Sequence, residues 1–241
     1  MSDAHTVTAF DDELKQIGGY VAQIGGMAER MVDQAMTALM RADSDGAERV
    51  IEEDVKVDNL QREVEEKSIL IIAKRQPMAK DLREIVAAIR IASDLERVGD
   101  LAKNIAKRVI ALQGQFKPKS VMHGVEHLAE LSQEQLKNVL DAYGSRNVKL
   151  ALAVWQRDEE IDSLYTSLFR ELLTYMMEDP RNIGFCTHLL FCAKNIERIG
   201  DHATNIAETV HYQITGVTLT DERPKGDLST IAPVDLPQTD D

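Results

Sequence analysis

Cysteine is nearly absent: Cys186 and Cys192 are the only two in 241 residues. They stand six apart in a stretch of helical pattern, more than one and a half turns, so they do not face each other and no disulfide is expected. Two reduced, buried thiols are the simple reading. Long apolar runs are missing too, and nothing approaches the length of a membrane span. The first residues carry Asp3, His5, Asp11, Asp12 and Glu13 and show no apolar core of a secretory signal, so a soluble intracellular protein is expected. Basic residues are the minority, 28 Lys and Arg against 41 Asp and Glu, for a net charge of -13. No segment gathers enough cationic charge to neutralise a run of phosphates, which excludes a nucleic-acid footprint. An acidic chain attracts cations or basic partners instead. No Gly-rich phosphate loop, Cys-His pair, Ser-His-Asp arrangement or dinucleotide fingerprint appears, so no enzyme is expected.

What is present is helix-forming. Aromatics make up 5% of the chain, while Ala, Leu, Ile, Val, Glu, Lys, Arg and Met fill long stretches, the balance of an all-α protein. Its most informative feature is a stretch written twice. Ala92-Ser-Asp-Leu-Glu-Arg-Val-Gly-Asp100 returns as Ala193-Lys-Asn-Ile-Glu-Arg-Ile-Gly-Asp201, 101 residues later. Asn104-Ile-Ala and Asn205-Ile-Ala extend the match, so two copies of one structural unit are expected.

Read in order, apolar residues at helical spacing (Leu14, Ile17, Val21, Ile24, Met27, Met31, Ala35) predict a first helix over 7–41. Gly18-Gly19 and Gly25-Gly26 within it point to close packing by a neighbour, and its methionines to core filling. Asp43-Ser-Asp-Gly46 is a turn and cap signal before a second helix over 47–75. Pro77 fits the first turn of a third helix, reaching about Leu112. Gly114 and Pro118 mark the mid-chain boundary. The plan then repeats with helices over about 120–143, 148–177 and from Pro180 to about Ile214, the first two joined by Gly144-Ser-Arg-Asn147. Six long helices in two pseudo-symmetric three-helix bundles, residues 1–115 and 116–216, are the expected architecture. Residues 217–241 lose the helical period, contain Pro224, Pro233 and Pro237, and carry six acids against two bases, which reads as a disordered acidic tail.

On a helix, residues four apart are neighbours, so Glu96 and Asp100 project together, as do Glu197 and Asp201. Val98, Ala102, Ile105 and Val109 fall opposite the first pair, and Ile199, Ala203, Ile206 and Val210 opposite the second, which places the acids on an outer face. Like charges there weaken a helix unless something neutralises them. A smaller echo, Asp54-Val-Lys-Val-Asp58 against Asp158-Glu-Glu-Ile-Asp162, lies on the second helix of each half. Two readings stand. These are solvated acids moderated by Arg97 and Arg198, or Asp54 and Asp58 come alongside Glu96 and Asp100, with Asp158 and Asp162 alongside Glu197 and Asp201. The second reading gives two oxygen-rich clusters suited to Mg, Mn, Fe or Zn. The Glu-x-x-His pattern of buried di-iron bundles is absent. His202 points away from Glu197 and replaces Leu101 of the first copy; it and His188 and His211 show no ligand pattern.

The doubled Glu-Arg-Val/Ile-Gly-Asp motif, with Ile72-Ala-Lys-Arg-Gln-Pro77 before one copy and Leu173-Thr-Tyr-Met-Met-Glu-Asp-Pro180 before the other, resembles the PhoU family of bacterial phosphate-signalling regulators over nearly everything except the tail. The resemblance implies two three-helix bundles with metal clusters held by Asp54, Asp58, Glu96 and Asp100 in one half and Asp158, Asp162, Glu197 and Asp201 in the other. Asn104 and Asn205 lie one turn further along. Asp94 against Asn195, and Asp81 against Asn182, distinguish the halves, so equal metal content is not implied. It further implies a cytoplasmic negative regulator of the phosphate-starvation response, linking the ATPase subunit of the phosphate ABC transporter to the sensor histidine kinase, and a homodimer. The rival reading is a metal-dependent phosphate-ester hydrolase or metal store built on the same carboxylates.

Overall fold

The computed structural model describes residues 2–112 and 119–219. The expected boundary at Gly114 and Pro118 lies outside the described residues, as does the acidic tail beyond residue 219. The described residues form seven α-helices and one short 3-10 turn, with no strand.

α1 spans Ser2–Arg41 and α2 spans Ser44–Arg75. α1 begins before residue 7 because its first residues are polar and carry no apolar period to reveal a helix. Between them Ala42 takes the left-handed conformation (φ 56°). The Asp43 amide donates to the Ala38 carbonyl at 3.0 Å, and the Asp43 carboxylate accepts from the Gly46 amide at 2.9 Å. The same corner recurs 104 residues on. α4 (Lys119–Ser145) ends at Arg146 (φ 52°), the Asn147 amide donates to Ala142 at 2.9 Å, and the Asn147 side chain caps α5 (Val148–Gln156). Each corner satisfies helix-end groups that would otherwise lack partners.

Two details differ from expectation. Pro77 ends α2 rather than opening α3 (Ala79–Ala111): Gln76 turns left-handed at φ 48° and Met78 is extended, so the third helix starts two residues after the proline. In the second half the 148–177 helix is broken at Arg157, giving α5 and a separate α6 (Asp158–Glu178). No Gly or Pro marks this break. Gln135 on α4 donates to the freed Arg157 carbonyl at 3.0 Å, and the Arg157 guanidinium bonds Glu134 and Glu160. Pro180 opens a 3-10 turn (Pro180–Asn182) leading into α7 (Ile183–Thr215), whose left-handed end is Gly216.

α3 and α7 are the most continuously buried helices. α3 packs on α1, α2 and α7; α7 packs on α3, α4, α5 and α6; and α1 also meets α4. Asp94 meets His202, and Arg108 meets His188 and the face of Phe191, so the two helices run antiparallel. The core is one continuous cluster from Ile17 to Val210 and includes Met27, Met31 and Met36 as filler. Cys186 and Cys192 are buried free thiols. Of the α1 glycines, only Gly25 faces a crowded neighbour: an added Cβ would meet Leu140 of α4 at 2.6 Å, whereas Gly18 and Gly19 face open space.

The repeated glycines behave unequally. A Cβ on Gly99 would stand 3.5 Å from Val57, an ordinary contact, but on Gly200 it would meet the Cδ1 of Ile161 at 2.7 Å. Gly99→Ala should therefore stabilise the chain by about 0.5–1 kcal/mol through helix propensity. Gly200→Ala should fall short of that by about 1 kcal/mol or more, because Ile161 is fully packed. The shortfall should shrink in an Ile161→Val background, which lacks the Cδ1. Equal denaturant midpoints for the two glycine variants would contradict this packing.

Candidate acidic sites between paired helices

Each repeated motif sits where its helix meets the second helix of the same half. Gly200 permits the close approach of Ile161 to the backbone of α7, while Val57 stands at ordinary contact distance from Gly99 on α3. The expected outer face is thereby corrected. Asp54, Asp158, Asp162 and Glu197 are buried, and Glu96 and Asp100 are partly buried. The side of α3 that carries Glu96 and Asp100 borders α2 and is only partly open to water, and the corresponding side of α7 is covered by α6.

In the first half Asp54, Asp58, Glu96 and Asp100 lie within one another's electrostatic reach. Lys103 stands among them. Its Nζ donates to Asp100 Oδ1 at 2.6 Å and to Asp54 Oδ2. Arg97 covers the rim, its guanidinium 3.5 Å from both Glu96 and Asp100. Burial raises the Asp54 carboxyl above its ordinary range; the Lys103 hydrogen bond opposes this, and the charges of Asp58 and Asp100 add to it. Burial likewise raises Glu96, helped by the charge of Asp100. Burial alone would push the Lys103 ammonium down, but its bonds to Asp100 and Asp54 more than reverse this and hold it charged.

In the second half the arrangement differs. Thr204 takes the place of Lys103 and donates its hydroxyl to Asp158 Oδ1 at 2.9 Å and to the Gly200 carbonyl at 3.2 Å. The α5–α6 break puts Asp158 in the first turn of α6, where the helix N-terminus favours a carboxylate; Asp54 has no such position inside α2. The cation here is Lys194, from the other end of the motif, donating to Glu197 Oε1 at 2.8 Å. Burial pushes Glu197 up to about 7; the Lys194 hydrogen bond opposes this, and the charges of Asp201 and Asp162 add to it.

Both sites carry unused acceptors. Asp54 Oδ1, Asp58 Oδ1 and Glu197 Oε2 are buried and make no hydrogen bond, a costly state for a carboxylate oxygen. The donors are all carboxylate oxygens, the set that hard cations prefer. Among the described residues, however, no three Asp, Glu, His or Cys side chains are gathered as ligands of a single ion; lysine ammonium groups sit against the acids instead. Asn104 is exposed, and Asn205 is half-buried on the same face.

The sequence reading missed the Asp94–His202 pair, 2.9 Å apart across the seam of α3 and α7. Its signal was present: Asp94 against Asn195 and His202 against Leu101 are two departures from the repeat, and they are partners.

A duplicated helical protein with an acidic interhelical site in each half is the class that fold and site define. Within that class the chain belongs to the PhoU domain family, which matches it twice, over residues 21–109 and 125–210. It is 60% identical over 230 residues to a phosphate-specific transport system accessory protein PhoU homolog of Rhizobium meliloti, covering 95% of this chain and 97% of that one. A protein of the same description from Caulobacter vibrioides is 50% identical over 224 residues, covering 93% and 97%. The crystal structure of PhoU from Pseudomonas aeruginosa superposes with a TM-score of 0.84 at 38% identity, over 86% of this chain and 100% of that one. The phosphate transport system regulatory protein PhoU from Streptococcus pneumoniae gives 0.80 at 29% identity, over 87% and 99%.

A carboxyl raised in the folded state contributes stability fully present below its unfolded pKa and lost as pH rises through its folded one. For Glu197 that window runs from about 4.5 to about 7. Glu197→Gln removes the ionisation. In metal-free buffer the variant should therefore gain on the parent by roughly 3 kcal/mol between pH 4.5 and pH 8. Urea unfolding at the two pH values measures this; a difference independent of pH would contradict it.

Proposed function

We propose that this protein is an accessory regulator of phosphate-specific transport and not an enzyme. The observation that carries the reading is the match of both halves to one family, together with relatives aligned over nearly their whole length that are described as phosphate-specific transport system accessory proteins. The absence of nucleophile, base and phosphate-loop arrangements from the sequence agrees with it. The protein restrains the phosphate-starvation response from the cytoplasm when phosphate is plentiful, coupling the ATPase subunit of the phosphate ABC transporter to the sensor histidine kinase. No helix among the described residues is long and apolar enough to cross a membrane, so such coupling works by docking. Exposed apolar side chains suit that role at the corner between the second and third helices of each half: Ile69, Leu70 and Met78 in one, Leu173, Met177 and Ile183 in the other. Homodimerisation belongs to the same proposal.

Asp54, Asp58, Glu96 and Asp100, and Asp158, Asp162, Glu197 and Asp201, would hold divalent or trivalent ions such as Fe, Zn, Mn or Mg, supported by the unused buried oxygens of Asp54, Asp58 and Glu197. A bound ion would supply the positive charge that lets these carboxylates stay ionised side by side. The side chains would have to converge further than they do beside Lys103 and Lys194.

Deleting the gene should switch on phosphate-uptake genes in phosphate-rich medium, read by transcript levels; unchanged expression would contradict the regulatory role. For the site, elemental analysis should show less metal in a variant with Asp58, Asp100, Asp162 and Asp201 replaced by alanine than in the parent. Equal content would refute these ligands.

A further inference from the structure

A hollow of about 390 Å³ opens where α1 meets α4, close to the start of α3 and the end of α7, and takes its walls from both halves of the chain. One wall is a bare strip on α1: Gly18, Ala22 and Gly26 follow at intervals of about one turn, roughly 12 Å end to end. Leu140 and Gly144 of α4 line it as well. Packing does not call for these glycines. A Cβ on Gly18 or Gly144 would meet nothing within 4 Å, and one on Gly26 would meet only the Arg30 guanidinium at 3.6 Å. Glycine weakens a helix relative to alanine, so here it keeps a space open against the helix's own preference.

The polar groups stand at the floor and the ends. Gln213 of α7 lines the hollow although it is 5% exposed, which puts it at the base, and its Oε1 accepts no hydrogen bond. The matching position of the first copy is Leu112, a buried core residue. The second copy thus carries an amide in place of a core hydrocarbon and leaves its carbonyl oxygen without a donor, an unfavourable state unless something supplies one. Glu29 stands at one end, three residues beyond Gly26 on α1. Toward Gly18 lie Tyr143 and Glu84, the latter paired with Arg146. Asp141 is exposed on the rim. The lining therefore holds three carboxylates against one guanidinium.

We propose that this hollow binds a linear polyamine. The bare strip takes the methylene chain, the carboxylates beyond its two ends take the ammonium groups, and Gln213 Oε1 accepts from an N–H between them. A metal ion does not suit the place, because its ligands must converge on one point, whereas Glu29 and Glu84 lie at opposite ends of a strip that has no side-chain donor. The hollow shares no residue with the acidic sites between α2 and α3 or between α6 and α7, so the proposal is independent of their reading as metal sites.

The test is calorimetric titration of the full-length chain with spermidine, after stripping with chelator and dialysis into metal-free buffer at about 0.15 M salt, where the diffuse attraction of an acidic surface is largely screened. One spermidine should bind per chain. Gly18→Met places a good helix former where nothing stands within 4 Å; it should fold as the parent does and lose binding. Gln213→Leu, which copies the first half, should weaken binding about tenfold, the scale of one hydrogen bond to a charged group, and decides the matter if the methionine variant folds poorly. Glu29→Gln should also weaken binding, whereas Glu65→Gln, the same change at an exposed position of α2 outside the hollow, should not. The variant with Asp58, Asp100, Asp162 and Asp201 replaced by alanine should bind spermidine as the parent does, and loss of binding there would move the site to the acidic clusters and overturn the proposal. Several weakly held spermidines per chain, equal effects of Glu65→Gln and Glu29→Gln, or parent affinity in Gln213→Leu would likewise overturn it.

Discussion

The antiparallel contact between α3 and α7 is the constraint on which the rest of the molecule depends. A three-helix unit alone leaves a face of its third helix uncovered, and each half here covers the other's. Ile91, Leu95, Val98, Leu101 and Ile105 on α3, with Leu189, Ile196, Ile199, Ala203 and Ile206 on α7, belong to one buried cluster. Burial of this apolar surface is the dominant favourable term in holding the halves together. α7 leaves almost no side to water, and α3 leaves only a strip through Arg90, Ser93, Arg97, Asn104 and Lys107. The acidic residues of the motifs lie beside that strip, against α2 and α6, and so the sites lie between helices.

The acids strain this arrangement. A carboxylate withdrawn from water tends to neutralise unless paired, and the two halves resolve the conflict differently. Lys103 and Arg97 supply fixed countercharge to the first site. In the second, Lys194 donates to Glu197, Thr204 offers Asp158 a neutral hydrogen bond, the first turn of α6 offers its dipole, and Glu197 still carries a raised pKa. The duplication preserved the carboxylates while the neutralising groups diverged.

Much of this was legible in the residues. The helical period located the long helices, the repeated motif located the duplication, and Asp43 and Asn147 were readable as corner residues because their side chains cap the next helix. The break at Arg157 was not, since it depends on Gln135 from another helix catching a carbonyl. Pro77 was placed one role out, because a proline that ends one helix and a proline that begins the next look alike until the backbone angles of Gln76 and Met78 are known. The acid pairs were identified from spacing, but a single helix's period cannot say whether the face opposite its main stripe meets water or a second helix. Nor could it show Lys103 between Asp54 and Asp100, a contact 49 residues apart in the chain.

The two copies do not have the same length between their acids. Asp58 precedes Glu96 by 38 residues and Asp162 precedes Glu197 by 35, yet both pairs of helices bring their carboxylates together. Three residues removed inside a helix would rotate everything beyond by about 300° and carry the acids off the shared face. The difference is therefore taken up at the helix ends beside the corner: Glu96 stands 17 residues into α3 from Ala79 but Glu197 only 14 into α7 from Ile183, while the connections at Gln76–Met78 and through the 3-10 turn at Pro180–Asn182 join the shortened or lengthened ends. Those corners are the reading-frame joints of the fold: chain length and surface chemistry can drift there while the phase of the helices on either side stays locked.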